Sequence, residues 1–346
     1  MSEYRIFIAS PLDSAHAETI RTVDPQRVEV IHEPDLLPPT RYVADHTGRG
    51  DFVRDSAQQR RWLEQLSRAD ILWDLPRTAA DLAVAQRLKW IQTTSTGIGQ
   101  PVQELGLHRS DIILTTARGV HAGPLAEFVI MGLLTHFRGL RHLDAEQRAH
   151  RWVRYCGEEV AGKTVTVIGA GDLARGVAKV ARALDMRVVA IARDLPKSRA
   201  HAHLFDGLYD GKDLHRVLAA SDAVVVAVPH TAETENMIDA AAFAAMKPRA
   251  VFVNIGRGAV VDEAAMIGAL NSGHLGFACL DVAAVEPLPA DSPLWDMPNV
   301  LISPHSASTV TTENAKITEI FCYNLRCFLD QRFEDMKNIF SKDLLY

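Results

Sequence analysis

Two hydrophobic periods alternate along this chain. Short apolar, β-rich runs bounded by Asp, Asn, Pro or Gly read as strands, and between them apolar residues recur at helical spacing. YRIFIAS, RVEVIHE, DILWDL, KWIQTTS and IILTTA are strand candidates before residue 118. TVTVIGA, RVVAIAR, AVVVAVP, AVFVNI, GFACLDV and NVLISPH form a second set from 164 to 305. Strands that alternate with helices predict parallel sheets covered on both faces, so the expected class is α/β, with two doubly wound units.

Between the two sets, GPLAEFVIMGLLTHFRGLRHLDAEQRAH reads as one long helix with Leu125, Phe128, Val129, Gly132, Leu133 and Phe137 along a single face, suited to core or subunit packing. After His305 one more helix is predicted, from about Thr311 to Asp330, with Ile317, Ile320, Phe321, Leu325 and Phe328 at helical spacing. Forty residues cannot build a third domain, so this tail is expected to return to the first unit. Residues 33–56, EPDLLPPTRYVADHTGRGDFVRDS, break the alternation. Long irregular loops either cover active sites or form plain surface, and both readings stand here.

Composition narrows the classes. A length of 346 residues is about two domains' worth, and 47% hydrophobic with 23% charged residues is ordinary for a globular protein. The net charge of −6, with acids and bases interspersed, points away from nucleic acid and from an anionic membrane. A small anionic substrate would need local cationic groups. Cys156, Cys279, Cys322 and Cys327 show no CxxC spacing, so they read as reduced thiols and no metal is expected. The start, MSEYRIFIAS, lacks the basic cap and apolar run of a signal peptide, and no stretch approaches a membrane span, so the expected compartment is the cytoplasm.

VTVIGAGDLARG, residues 165–176, raises the first chemical question. KTVTVI is a strand, and Leu173, Val177, Val180, Ala181 and Leu184 mark one face of the helix that follows, so the glycines lie at a strand-to-helix turn. Gly169 allows the tight turn, and Gly171 has no side chain to hold the backbone away from a pyrophosphate at the helix N-terminus. Ala174 replaces a third glycine and is small enough for close packing. The next strand ends in Ala192 and Arg193 where an acid would bind a ribose 2′-hydroxyl. Arginine suits a 2′-phosphate, so NADP(H) is favoured over NAD(H), with Ser198 or Arg199 as helpers. The alternative is that Arg193 stacks on adenine and Asp194 serves NAD(H).

Three later segments put polar residues at strand ends: Arg257 in VFVNIGRGAVVDE, Asp281 and Glu286 in GFACLDVAAVEPLP, and His305 in NVLISPHSAS. Loops at the carboxyl ends of a doubly wound sheet gather around the ligand crevice. This set suits hydride transfer at a 2-keto or 2-hydroxy acid. An arginine holds the carboxylate, a histidine gives a proton to the carbonyl oxygen, and a neighbouring carboxylate orients the ring. Each also has a plain structural reading as a loop or turn residue.

HTAETENMI, MKPRAVFVNIGRGAVVDE, SGHLGFACLDVAAVEPLPADSPLWDMPNVLISPHSA and the glycine turn occur in this order in the D-isomer-specific 2-hydroxyacid dehydrogenases, which the chain resembles from about Lys89 to Ser308. The resemblance implies Arg257 as the substrate-binding arginine, His305 as general acid/base and Glu286 as its partner. Beside Gly169, Gly171 and Arg193, read above from the turn and the strand end, it implies cofactor contacts at Asp172, Leu173, Val228, Pro229, Thr234, Ile255, Gly256 and Asp281. STGIG resembles the loop whose backbone N–H groups bind the substrate carboxylate, at Thr96, Gly97 and Ile98. It further implies a Rossmann cofactor domain, residues 118–306, inserted in a flavodoxin-like substrate domain formed by 1–117 plus 307–346, and a homodimer clasped through the cofactor domains. Glu286 argues against formate dehydrogenase chemistry, where glutamine pairs with the histidine. The nearest analogy is a glyoxylate/hydroxypyruvate reductase or a broader 2-ketoacid reductase. A rival from another class is a dinucleotide-sensing, corepressor-like regulator, since the same fold serves such proteins. Trp73, near a strand end, either narrows the pocket or packs in the core.

Overall fold

The computed structural model describes residues 3–345 and divides into two compact units, one running to Val120 and resuming at Thr309, the other His121–Ser308. Each is a parallel sheet between helices.

The first unit contains β1 (Tyr4–Ile8), β2 (Val28–Ile31), β3 (Ile71–Trp73), β4 (Trp90–Gln92) and β5 (Ile113–Thr115), ordered β2-β1-β3-β4-β5. All pairs are parallel, with Ile6 opposite Ile71 and Ile8 opposite Trp73. Burial on both faces is why these strands read as unbroken apolar runs. Ile6, Ile8, Trp73 and Trp90 face the helix Glu313–Leu329 through Ile317, Phe321, Leu325 and Phe328. Phe7, Leu72, Ile91 and Leu114 face Trp62 and Leu66 of the helix Ser56–Arg68. The Trp90 and Phe321 rings stack at 4.9 Å, and Trp73 lies fully buried 5.5 Å from Phe321. The tail therefore completes this core, and Trp73 is part of it.

Within residues 33–56, one carboxylate ties 41–48 together. Asp45 Oδ2 accepts from the Arg41 backbone N–H (2.9 Å) and Nε (2.8 Å), while Oδ1 accepts from Arg41 Nη2 (2.9 Å) and the N–H groups of Thr47 and Gly48. Asp55 then starts the next helix through a capping box with Gln58.

The second unit contains β6 (Thr164–Ile168), β7 (Arg187–Ala192), β8 (Gly207–Asp210), β9 (Ala223–Val226), β10 (Ala250–Asn254), β11 (Leu275–Leu280) and β12 (Val300–Ile302). Their order, β12-β11-β10-β9-β6-β7-β8, is the doubly wound one, reversing direction between β6 and β9. β8 was not expected; it is a half-buried edge strand, and GLYD has no apolar run to announce it. The expected long helix is two, Ala122–Phe137 and Leu140–Arg148, because Gly139 takes a left-handed φ of +66° that an α-helix cannot carry through. Leu125, Phe128, Val129, Leu133 and Phe137 are all buried in this unit's core. Among the described residues, no helix is long and apolar enough to cross a membrane.

Candidate active site

The chemistry-bearing residues of the second unit cluster where its central strands end. After β6, Gly169 adopts φ +112°, and a Cβ there would press on the Ala227 carbonyl oxygen at 2.9 Å. Only glycine meets both demands. The helix Asp172–Ala183 follows with Gly171, which has no side chain to cap it, at its N-cap, and apart from its chain neighbours no described residue comes within 4 Å of where a Gly171 Cβ would stand. A helix start without a side-chain cap from Gly171, with open space at Gly171 and the helix dipole behind it, fits the diphosphate of a dinucleotide. Asp172 puts an acid in that first turn, and Arg175 pairs with it.

Val228 and Pro229 follow β9, and Ile255 and Gly256 follow β10. Gly256 packs so closely on Val228 that a Cβ would sit 2.7 Å from its carbonyl oxygen. Thr234 Oγ1 donates to the Pro229 carbonyl (2.8 Å) and accepts from the Thr231 N–H (2.8 Å), closing that loop on itself. Arg193, at the end of β7, is 60% exposed, with Nη1 4.0 Å from Glu233 Oε2. Asp194 caps the short helix Leu195–Ser198 by accepting from the Lys197 N–H (3.0 Å).

Arg257, half-buried, follows Gly256, and its Nη1 donates to the Gly256 carbonyl (2.8 Å). Its turn is held by Asn254, whose Oδ1 accepts from the Gly256 N–H (3.0 Å) and whose Nδ2 donates to the Arg257 carbonyl (3.1 Å). Gly258 lies against the Ala283–Ala284 backbone, where any Cβ would overlap the Ala283 carbonyl. That contact brings the Arg257 loop onto the loop carrying Glu286.

Glu286 Oε1 accepts from the Ala283 N–H (3.2 Å), and Oε2 lies 2.7 Å from His305 Nδ1. With Nδ1–H given to the carboxylate, Nε2 is the nitrogen left for proton transfer. His305 has φ +53°, a conformation few non-glycine residues adopt, and its N–H donates to the Asp281 carbonyl (2.9 Å). Asp281 is buried, and its Oδ1 accepts from Ser303 Oγ (2.8 Å) and the Ala307 N–H (2.9 Å). Asn254, Gly258 and Ser303 are thus supporting residues that sequence reasoning missed. A polar residue closing a β-run, as Asn254 does, was the only available signal.

Thr96, Gly97 and Ile98 belong to the first unit, between β4 and the helix Gly99–Glu104; Thr96 and Gly97 are exposed and Ile98 is buried. Asp74, with φ +75°, accepts from Thr94 Oγ1 at 3.0 Å. A cavity of about 630 Å³ in the same unit, lined by Tyr4, Lys89, Ser110 and Phe328 among others, opens at the amino ends of the strands, away from the edge where α/β folds bind ligands.

A doubly wound unit with an uncapped glycine turn and a His–Glu pair at its carboxyl edge defines a dinucleotide-dependent class. Residues 130–307 match the model of the D-isomer specific 2-hydroxyacid dehydrogenase, NAD binding domain. The chain is 35% identical over 280 residues to D-3-phosphoglycerate dehydrogenase of Mycobacterium leprae (strain TN), covering 77% of this chain and 50% of that one, so it spans about half the length of that relative. It is also 35% identical over 232 residues to glyoxylate/hydroxypyruvate reductase B of Pectobacterium atrosepticum, covering 65% and 70%. A D-isomer specific 2-hydroxyacid dehydrogenase from Xanthobacter autotrophicus Py2, solved with NADPH and MES, superposes with a TM-score of 0.74 at 27% identity, over 99% of this chain and 100% of that one. The chain belongs to the D-isomer specific 2-hydroxyacid dehydrogenase family.

Proposed function

We propose that the protein is a cytoplasmic reductase of small 2-ketoacids, of the glyoxylate/hydroxypyruvate kind, working with NADPH in preference to NADH. The observation that carries the reading is the 2.7 Å contact between His305 Nδ1 and Glu286 Oε2 beside the Arg257 turn. The bound dinucleotide supplies a hydride. Arg257 holds the substrate carboxylate and polarises the carbonyl, His305 Nε2 gives its proton to the carbonyl oxygen, and Glu286 keeps the ring oriented. Backbone N–H groups of Thr96, Gly97 and Ile98 serve the carboxylate, as in the proteins the loop resembles. Gly169, Gly171, Asp172 and Leu173 cradle the diphosphate; Val228, Pro229, Thr234, Ile255, Gly256 and Asp281 line the rest of the cofactor site.

The NADPH preference is supported by Arg193 at the end of β7 and by Asp194 being occupied as a helix cap. The NADPH complex of the Xanthobacter relative agrees with it. In this reading residues 1–117 with 307–346 form the substrate domain and 118–306 the cofactor domain. In the same reading two copies pair through the second unit, where Met131, Leu140, Leu143, Trp152 and Val153 are apolar residues exposed to solvent; Trp152 is 98% exposed.

The test is initial rates of NADPH and NADH oxidation against glyoxylate, hydroxypyruvate, pyruvate, phenylpyruvate and 2-ketoisocaproate. Turnover of the small ketoacids, faster with NADPH, is expected. Tight dinucleotide binding with no turnover of any of them would overturn the reading in favour of a sensor.

A further inference from the structure

The carboxyl end of β7 holds two opposite charges. Arg193 Nη1 lies 4.0 Å from Glu233 Oε2, and both side chains are open to solvent. Glu233 is not on a free tail. The Thr234 N–H donates to the Thr231 carbonyl (3.0 Å), and Thr234 Oγ1 bonds to both Thr231 N–H and Pro229 O, so the turn that carries Glu233 is closed from both sides. The acid next to Arg193 in sequence, Asp194, spends its carboxylate on the Lys197 N–H. Glu233 is therefore the acid that the loop after β9 presents to Arg193.

We propose that Glu233 is a specificity-determining residue that sets how strongly this protein discriminates NADPH from NADH. The inference rests on the reading of Arg193 as the 2′-phosphate contact. A ribose 2′-phosphate carries close to two negative charges at neutral pH. Glu233 acts against it twice: its carboxylate competes for the Arg193 guanidinium, and it repels the incoming phosphate. An exposed ion pair contributes little to folding, so Arg193 can exchange one partner for the other without disturbing the fold. NADH lacks the phosphate and does not meet this opposition. The outcome is a site that binds NADPH less tightly than Arg193 alone would allow and keeps NADH usable. Like-charge repulsion across several ångströms of screened solvent corresponds to about a threefold to tenfold effect on affinity.

The experiment titrates the full chain with NADPH and with NADH, following cofactor fluorescence at low and at physiological salt, for the wild type, Glu233→Gln, Glu233→Asp and Arg193→Ala. Glu233→Gln is expected to tighten NADPH about threefold to tenfold and NADH less than about twofold, with the larger gain at low salt. Glu233→Asp, which keeps the charge, is expected to stay near the wild type. Arg193→Ala separates the two layers. If it weakens NADPH and NADH equally, the reading of Arg193 fails. If it selectively weakens NADPH while Glu233→Gln binds NADPH no tighter than wild type, the role of Glu233 alone is overturned. An equal gain in Glu233→Asp and Glu233→Gln would also overturn it, because the effect would then follow side-chain length and not charge.

Discussion

Asp45 and Glu286 are both carboxylates within 3 Å of a basic side chain, and their surroundings differ sharply. Asp45 is 1% exposed and its two oxygens accept five hydrogen bonds, two from the Arg41 guanidinium and three from backbone N–H groups. The hydrogen bonds from Arg41 hold its carboxyl well below the usual carboxylate range, against the opposing effect of burial. Glu286 is 39% exposed, and its partner is a ring with a second nitrogen still to use. A saturated buried carboxylate can only hold its loop in place. An open one beside a histidine can orient a proton donor.

Removing His305 should produce the largest effect. His305→Ala is expected to lower kcat by about 10² to 10⁴ while dinucleotide affinity stays near the wild type, as seen by parallel steady-state rates and cofactor titration. Unchanged turnover would remove the chemical half of the contrast. Glu286→Gln keeps a hydrogen-bond acceptor but removes the charge, so a smaller loss, about tenfold to a hundredfold in kcat, is expected with unchanged urea stability.

Asp45→Asn should do the reverse. It is expected to cost about 2 kcal/mol of stability, a figure held down because Arg41 is half exposed, and to leave kcat per folded molecule unchanged. Urea unfolding followed by tryptophan fluorescence reads it, since Trp62, Trp73 and Trp90 all lie buried in the same unit. The sign of the pH dependence follows from the depressed folded value. The unfolded carboxyl binds its proton first as pH falls, so the Asp45 contribution is complete above about pH 5 and is lost as pH drops toward the folded value. Wild type and variant should therefore converge in stability between about pH 5 and pH 2. A constant gap would mean that the loop is held by something other than the charge.

The elements most legible in advance were those whose information is local. Each strand foreseen from an apolar run is present, and the helical spacing from about Thr311 to Asp330 forms the helix Glu313–Leu329. Local patterns also misled. The apolar face through Phe137 continues into Leu140 and Leu143, and only the left-handed Gly139 shows that the chain turns there. β8 was invisible because an edge strand covered on one side needs no apolar run. The order of residues 33–56 was unreadable because Asp45 bonds mainly to backbone N–H groups, which every sequence has.

At the candidate site the division is similar. The residue types, their places at strand ends and the glycine turn could be read from the chain, because parallel strands buried on both faces must be apolar and their carboxyl ends must be loops. The pairing of His305 with Glu286 was implied by the family resemblance and not by spacing, while the seating of Gly258 on Ala283 and the approach of Glu233 to Arg193 had no signal in the chain. Each depends on how far a strand end projects and on which backbone lies beside it. Periods of two and 3.6 residues record which way a side chain faces; only the packed sheet decides what it meets.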